Sequence, residues 1–356
     1  MRILALVLAV MAAPFADAQT MTLPTAPPPA AAKPSPVTTE PWLQATASVS
    51  DIDVTARFFR EISGYRAVWR GRLDRSELDY WGLPKEARAE ALVLAAPGRT
   101  HGRVRLVQFD GVKKVPMRPG SRAWDTGCFF SLMVRAKGLD AIYDDAIRLG
   151  WWTETPITDL DFAGSTLKVV IFKGPDGLQV QAYERLSPAL PAAFGDFERI
   201  SQPFNIMQMV RDREAMRRLA EDVFGFQRFW FGPPYVEKTP TPMPLGIPTN
   251  LTTSVPYRAG IFYPKPDEFG RLEAIQIDGL KGNDYADRCS APNLGWLSVS
   301  YSVADAEAAA AQIVARGQVL DAAVTRITRR PEGAIKVLRV RAPDGARIEF
   351  ESRLAN

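Results

Sequence analysis

Histidine and cysteine are nearly missing from this chain of 356 residues, which has one histidine, His101, and two cysteines, Cys128 and Cys289. A two-histidine, one-carboxylate iron site therefore cannot be assembled within one chain. His101 lies in a Gly98-Arg99-Thr100-His101-Gly102 segment and reads as a solvated turn residue. Two cysteines permit one disulfide in an oxidising compartment, and a pair of buried thiols satisfies the sequence equally well.

A strong charge of one sign is also lacking. The formal net charge is +4, and the basic residues are dispersed apart from short clusters such as Arg329-Arg330. That is ordinary surface charge, with no footprint of nucleic-acid binding. The apolar run from Ile3 to Phe15 is too short to span a membrane. Arg2 precedes it and Ala16-Asp17-Ala18 closes it, so residues 1–18 read as a secretory signal peptide. No cysteine follows this run to carry a lipid anchor. Residues 19–40, rich in proline and alanine, read as a disordered linker. The expectation is an exported protein, periplasmic or secreted, with no transmembrane segment in the mature chain.

What the chain does contain is a repeat. Gly174-Pro175-Asp176-Gly177 precedes an alternating stretch and returns as Ala342-Pro343-Asp344-Gly345, with Asp176 and Asp344 separated by 168 positions. Both read as tight hairpin turns that need a glycine with positive φ. Arg103 to Gly111 returns as Arg271 to Gly279 at the same spacing of 168, and Gly64-Tyr65 returns as Gly225-Phe226 at a spacing of 161. Two halves share one plan, which predicts domains at 41–190 and 197–356.

Each half divides again into two units of strand, helix and further strands. In the first, Gln44 to Val49 alternates as a strand, Ser50 with Asp53 makes a capping-box-like start, and Val54, Phe58 and Ile62 follow at helical spacing. Arg72 to Pro97 reads as a long excursion holding Tyr80 and Trp81. The second unit has an amphipathic helix through Leu139, Ile142 and Ala146, stopped by Gly150, and the fourth repeats it through Ala306, Ala309 and Ile313 to Gly317. The third runs from Asn205 through a helix near Asp212 into a proline-studded loop, Pro233 to Pro256. Loops of this length are uncommon inside compact domains and often act as lids.

Four such modules, three with an aspartate seven residues after a polar position early in the first strand and two with Pro-Asp-Gly turns, resemble the vicinal oxygen chelate superfamily. Glyoxalase I, the bleomycin-resistance proteins and the extradiol dioxygenases belong to it. The resemblance spans residues 42–354 and implies an α+β fold of four βαβββ modules paired into two half-open β-cups. It also implies a divalent metal held by the first and last strands of each module. Carried over, those positions fall on Gln44 and Arg105, on Ser131 and Gln181, on Asn205 and Glu273, and on Ser298 and Glu349. None is a histidine, so an extradiol dioxygenase is excluded and the usual histidine-based centre is lost.

No cofactor is expected on this reading, although the oxygen donors Asn205, Glu273, Ser298 and Glu349 would suit magnesium, manganese or calcium if they converged. Glu273 and Glu349 would then be the acid/base pair of a lyase or isomerase, the alternative to ligand binding alone. Arg105 would anchor an anionic ligand, and Tyr80 and Trp81 would close over a flat one. Modules pair either with their sequence neighbours or by exchange, and duplication of a two-module unit favours neighbours. The expected partner is a small molecule, bound by a monomer or dimer.

Overall fold

The computed structural model describes residues 34–354, except 121 and 163. The expected signal peptide lies outside them, as does most of the expected linker. Module one comprises β1 (Trp42–Val49), α1 (Ile52–Arg57), β2 (Arg66–Arg72), α2 (Arg75–Tyr80), β3 (Arg88–Ala95) and β4 (Arg103–Asp110). Module two comprises β5 (Phe129–Ala136), α3 (Leu139–Arg148), β6 (Trp152–Thr153), β7 (Thr158–Phe162), β8 (Ser165–Lys173) and β9 (Gln179–Ser187). Module three holds β10 (Asn205–Met209), α4 (Arg213–Arg217), β11 (Gln227–Phe231), β12 (Tyr257–Tyr263) and β13 (Arg271–Ile277). Module four holds β14 (Gly295–Ser302), α5 (Ala306–Ala315), β15 (Ala322–Arg329), β16 (Gly333–Arg341) and β17 (Arg347–Arg353).

The helices begin where the sequence supplies an acceptor for their orphan N–H groups. Asp51, Asp212 and Asp305 cap α1, α4 and α5, each accepting from a backbone N–H in the first turn. The cap of α1 is thus Asp51 and not Ser50, whose N–H and hydroxyl both donate to Asp176. Module two has Gly138, at φ 71°, in place of this aspartate. There Glu184 takes over, accepting from Gly138 N at 2.7 Å and Leu139 N at 3.2 Å. Both α1 and α4 run on into a π-helical turn, Phe58–Ile62 and Arg218–Val223, an echo of the duplication. The two expected hairpin glycines, Gly177 and Gly345, have φ of 74° and 88°.

Two curled sheets result. One has the order β15-β16-β17-β14-β1-β4-β3-β2, and the other runs β11-β12-β13-β10-β5-β9-β8-β6 with β7 beside β8. The modules are therefore exchanged: β1 pairs antiparallel with β14, and β10 with β5, so one cup joins modules one and four and the other joins two and three. This overturns neighbour pairing, and neither 41–190 nor 197–356 closes a cup of its own. The physical reason lies in the linkers from module one to two and from three to four. They run side by side, Met117 N donating to Leu294 O and Thr126 N to Asn283 O, and each carries its chain across to the other sheet.

A disulfide between Cys128 and Cys289 fastens these two crossings together, settling the thiol question. Strand alternation divides the faces. On β1, Ala45, Ala47 and Val49 join an apolar core shared with the helices and the other sheet, while Gln44, Thr46 and Ser48 alternate with them. Two sequence expectations need revising here. The Arg72 to Pro97 excursion contains a full strand, β3, and a helix, α2. The end of the expected linker is tied down, with Val37 N donating to Phe224 O and the Thr38 hydroxyl to Ser302 O.

Candidate functional site

The two cups have opposite fates, and the excursions decide them. Over the cup of modules one and four, α2 inserts the fully buried Glu77. Its carboxylate accepts from Arg105 Nη2 at 2.7 Å and from Arg329 Nε at 2.9 Å. Arg329 Nη1 in turn reaches Glu351 at 2.6 Å and Glu349 at 3.0 Å. Three carboxylates and two guanidinia thus fill the space with mutual ion pairs. Gln44 is buried beside them without a hydrogen-bond partner for either side-chain polar atom, and Ser298 is buried as well.

Several expected roles do not survive this arrangement. Arg105 is a structural ion-pair partner rather than an anchor for a ligand, and Glu349 is held by Arg329. Tyr80 is buried against Ile327, Ile335 and Val337 under the Arg339 guanidinium, and Trp81 packs on Phe109. Neither aromatic ring reaches the other cup. His101 is partly buried instead of solvated, with its Nε2 2.7 Å from Gln202 Nε2 and its ring against Phe269.

Over the cup of modules two and three, the loop from Pro233 to Pro256 brings Pro242, Met243, Pro244 and Leu245 to the wall of a cavity of about 140 Å³. One water needs roughly 10–15 Å³ measured in this way, so a small organic molecule fits. The inward positions are set by register: Asn205 lies opposite Met133 and beside Arg271, Met207 beside Glu273, and Arg135 beside Tyr183. Apolar side chains make most of the wall, among them Met133, Met207, Phe204, Leu167 and Ile261.

Three sequence-predicted residues, Gln181, Asn205 and Glu273, line this cavity, and a fourth, Ser131, is buried against Gln181. Asn205 Nδ2 donates to Glu273 Oε2 at 2.5 Å, and Ser131 Oγ donates to Gln181 Oε1 at 3.3 Å. Gln181 Nε2 donates onward to the Tyr183 hydroxyl at 2.7 Å. Burial pushes the Glu273 carboxyl up to about 7, although the Asn205 hydrogen bond and the Arg271 charge pull the other way. Burial raises the Tyr183 phenol well above its ordinary value, and the negative charge of Glu273 adds to this. Glu273 and Glu349 sit in different sheets, so the expected acid/base pair is not formed, and Asn205, Glu273, Ser298 and Glu349 do not converge.

Tyr183, Arg135 and Arg185 were not singled out from the sequence. A signal for them existed: stepping by two from Ser131 gives Met133 and Arg135, and stepping by two from Gln181 gives Tyr183 and Arg185.

The four positions that the sequence resemblance assigns to a metal do not fit one in this cup. They offer one carboxylate, two amides and a hydroxyl; the Asn205 amide N–H is turned toward Glu273, and the Ser131 hydroxyl is engaged by Gln181. Arg135, Arg185 and Arg271 line the same cavity, and guanidinia repel a cation. Among the described residues no cluster of three or more histidine, cysteine, aspartate or glutamate side chains is placed to hold an ion.

Four modules of strand, helix and further strands, curled into two cups and paired by exchange, can be compared with known folds. No family model and no curated protein matches the chain by sequence. Among solved structures, it is similar to glyoxalase I from Zea mays, at 14% identity with a TM-score of 0.56, over 88% of this chain and 92% of that one. It is also similar to a putative dioxygenase from Bacillus subtilis, at 13% identity with a TM-score of 0.51, over 89% of this chain and 86% of that one. At these identities the likeness concerns the fold. Among the described residues no helix is long and apolar enough to cross a membrane.

Proposed function

We propose that this is an exported protein that binds a small organic molecule in the cup of modules two and three, without a histidine metal centre. One observation carries the reading. Of two cups built on one plan, one is filled by its own excursion while the other keeps a largely apolar cavity with a few convergent polar groups. Export rests on the signal-peptide pattern of residues 1–18 alone.

The test is a thermal-shift screen of small aromatic and carbonyl compounds on the full chain, with Ala259→Phe alongside. Ala259 lines the cavity from β12, and a phenyl group there would occupy it. Compounds that bind the cup should raise the wild-type midpoint by a few degrees, as expected when a ligand binds only the folded state, and should leave the variant unshifted. A screen without hits, or hits that persist undiminished in Ala259→Phe, would reject the cup as the site.

A second reading, a lyase or isomerase, is favoured by one feature: a carboxyl that titrates near neutrality on the cavity wall suits proton transfer. Glu273 would work without Glu349, with the Asn205 amide donating to it and the Tyr183 phenol on the same cavity wall. Incubating carbonyl compounds in deuterium oxide and following the loss of the α-proton by NMR tests it. Exchange that depends on protein and disappears in Glu273→Gln would establish proton abstraction; its absence across the panel leaves binding alone.

A further inference from the structure

Arg135, Arg185 and Arg271 give the cavity a cationic end. Arg135 is 5% exposed and lines the cavity from β5. Its guanidinium lies 4.4 Å from the centre of the Phe204 ring and 5.3 Å from that of Phe194, and its Nε has no hydrogen-bond partner.

Every other buried arginine among the described residues has oxygen acceptors. Arg103 pairs with Glu332, Arg105 with Glu77, Arg271 with Glu268 and Arg329 with three glutamates. Arg213 donates to the carbonyls of Gly232 and Ala259, and Arg118 to those of Arg122, Asp125 and Gly127.

Arg135 has no hydrogen bond or ion pair from its side chain, and neither does Arg185, two positions beyond Tyr183 on β9. Glu273, Glu237 and Asp159 also line the cavity, yet none comes within ion-pairing distance of either guanidinium. A buried, unpaired charge costs several kcal/mol on general grounds, and proteins ordinarily pair it.

We propose that Arg135 and Arg185 bind the carboxylate of a small acid whose ring-sized apolar body packs against Met133, Met207 and Phe204. The proposal rests on the cup being the binding site and adds the class of ligand. A carboxylate matches the planar guanidinium fork in geometry and charge. The wall beyond Arg135 and Arg185 is apolar and aromatic, which suits a ring better than a sugar.

Benzoate and its neutral isostere benzamide separate the possibilities when titrated calorimetrically at neutral pH into the wild type, Arg135→Met and Arg185→Gln. The wild type should prefer benzoate by about 10-fold or more, the range of a hydrogen bond to a charged group. Arg135→Met should lose that preference and keep its affinity for benzamide. Should Arg135→Met not fold, Arg185→Gln supplies the reading, because Arg185 is only partly buried, and its preference should fall by several-fold.

Equal affinities in the wild type, or a preference untouched in both variants, would overturn the carboxylate anchor and leave the cup intact as a binding site. If neither compound binds, both the anchor and the cup fail for ligands of this class.

Discussion

Arg105 Nη2 lies 2.7 Å from Glu77 Oε2, and this contact separates the two cups. The carboxylate comes from α2, so the chain supplies its own anion where a ligand would otherwise enter. Removing one partner of a buried pair strands the other, at a cost of about 3–5 kcal/mol, whereas replacing both with apolar groups is often nearly neutral. Glu77→Gln should therefore lower the unfolding free energy in urea by that amount, and Glu77→Leu with Arg105→Met should recover most of it. A Glu77→Gln loss within about 0.5 kcal/mol, the range of a surface change, would show that the cluster is not what closes this cup.

The disulfide makes a second prediction. Cys128 and Cys289 are separated by 161 positions and clamp the two linkers that cross between the sheets. Closing a loop of that length restricts the unfolded chain by about 5 kcal/mol in the chain-entropy model. Cys128→Ser with Cys289→Ser should lose a large part of this in urea unfolding, and the wild type with reductant should match the variant. A double variant as stable as the oxidised wild type would contradict the clamp.

A third concerns metal. Ser131, Gln181, Asn205 and Glu273 bring a single carboxylate to a cavity that arginines also line, so EDTA should leave the thermal midpoint where it is, and added manganese should not raise it. Stoichiometric metal in the purified protein, or a midpoint that falls with chelator, would overturn this account of the donor set.

How much of this was legible in the sequence follows from the range of each interaction. The periods of strand and helix, the glycines of the Pro-Asp-Gly turns and the aspartate seven residues into a module are local, and they carried the modules and the fold class. Which first strands pair is decided by contacts such as Gln44 with Ser300 and Asn205 with Met133, far apart in sequence, and the duplication pointed to the wrong partners. Glu77 was missed because glutamate is seldom fully buried, and its burial depends on Arg105 and Arg329 from two other strands. Arg135 was missed for a different reason: only the metal-ligand positions were carried into the cup, and it lies four residues past Ser131 on the same face.

Glu273 gives the last prediction. Its carboxyl titrates near 7 in the folded protein, against an ordinary 4.5, because burial penalises the ionised form. Below the unfolded value both states are protonated and the neutral carboxyl is accommodated without penalty. As pH rises through 7 the folded protein must hold a buried carboxylate, and the stabilisation is lost. A shift of this size is worth about 3 kcal/mol at 1.36 kcal/mol per unit. Glu351 and Asp344 are also raised by burial, so the wild-type profile alone does not isolate Glu273. The difference between the wild type and Glu273→Gln does: the two should be close at pH 4, and the variant should be more stable at pH 8 by about that amount. Urea unfolding across this range measures it, and a difference independent of pH would mean that Glu273 is ionised throughout and that its hydrogen bond from Asn205 outweighs its burial.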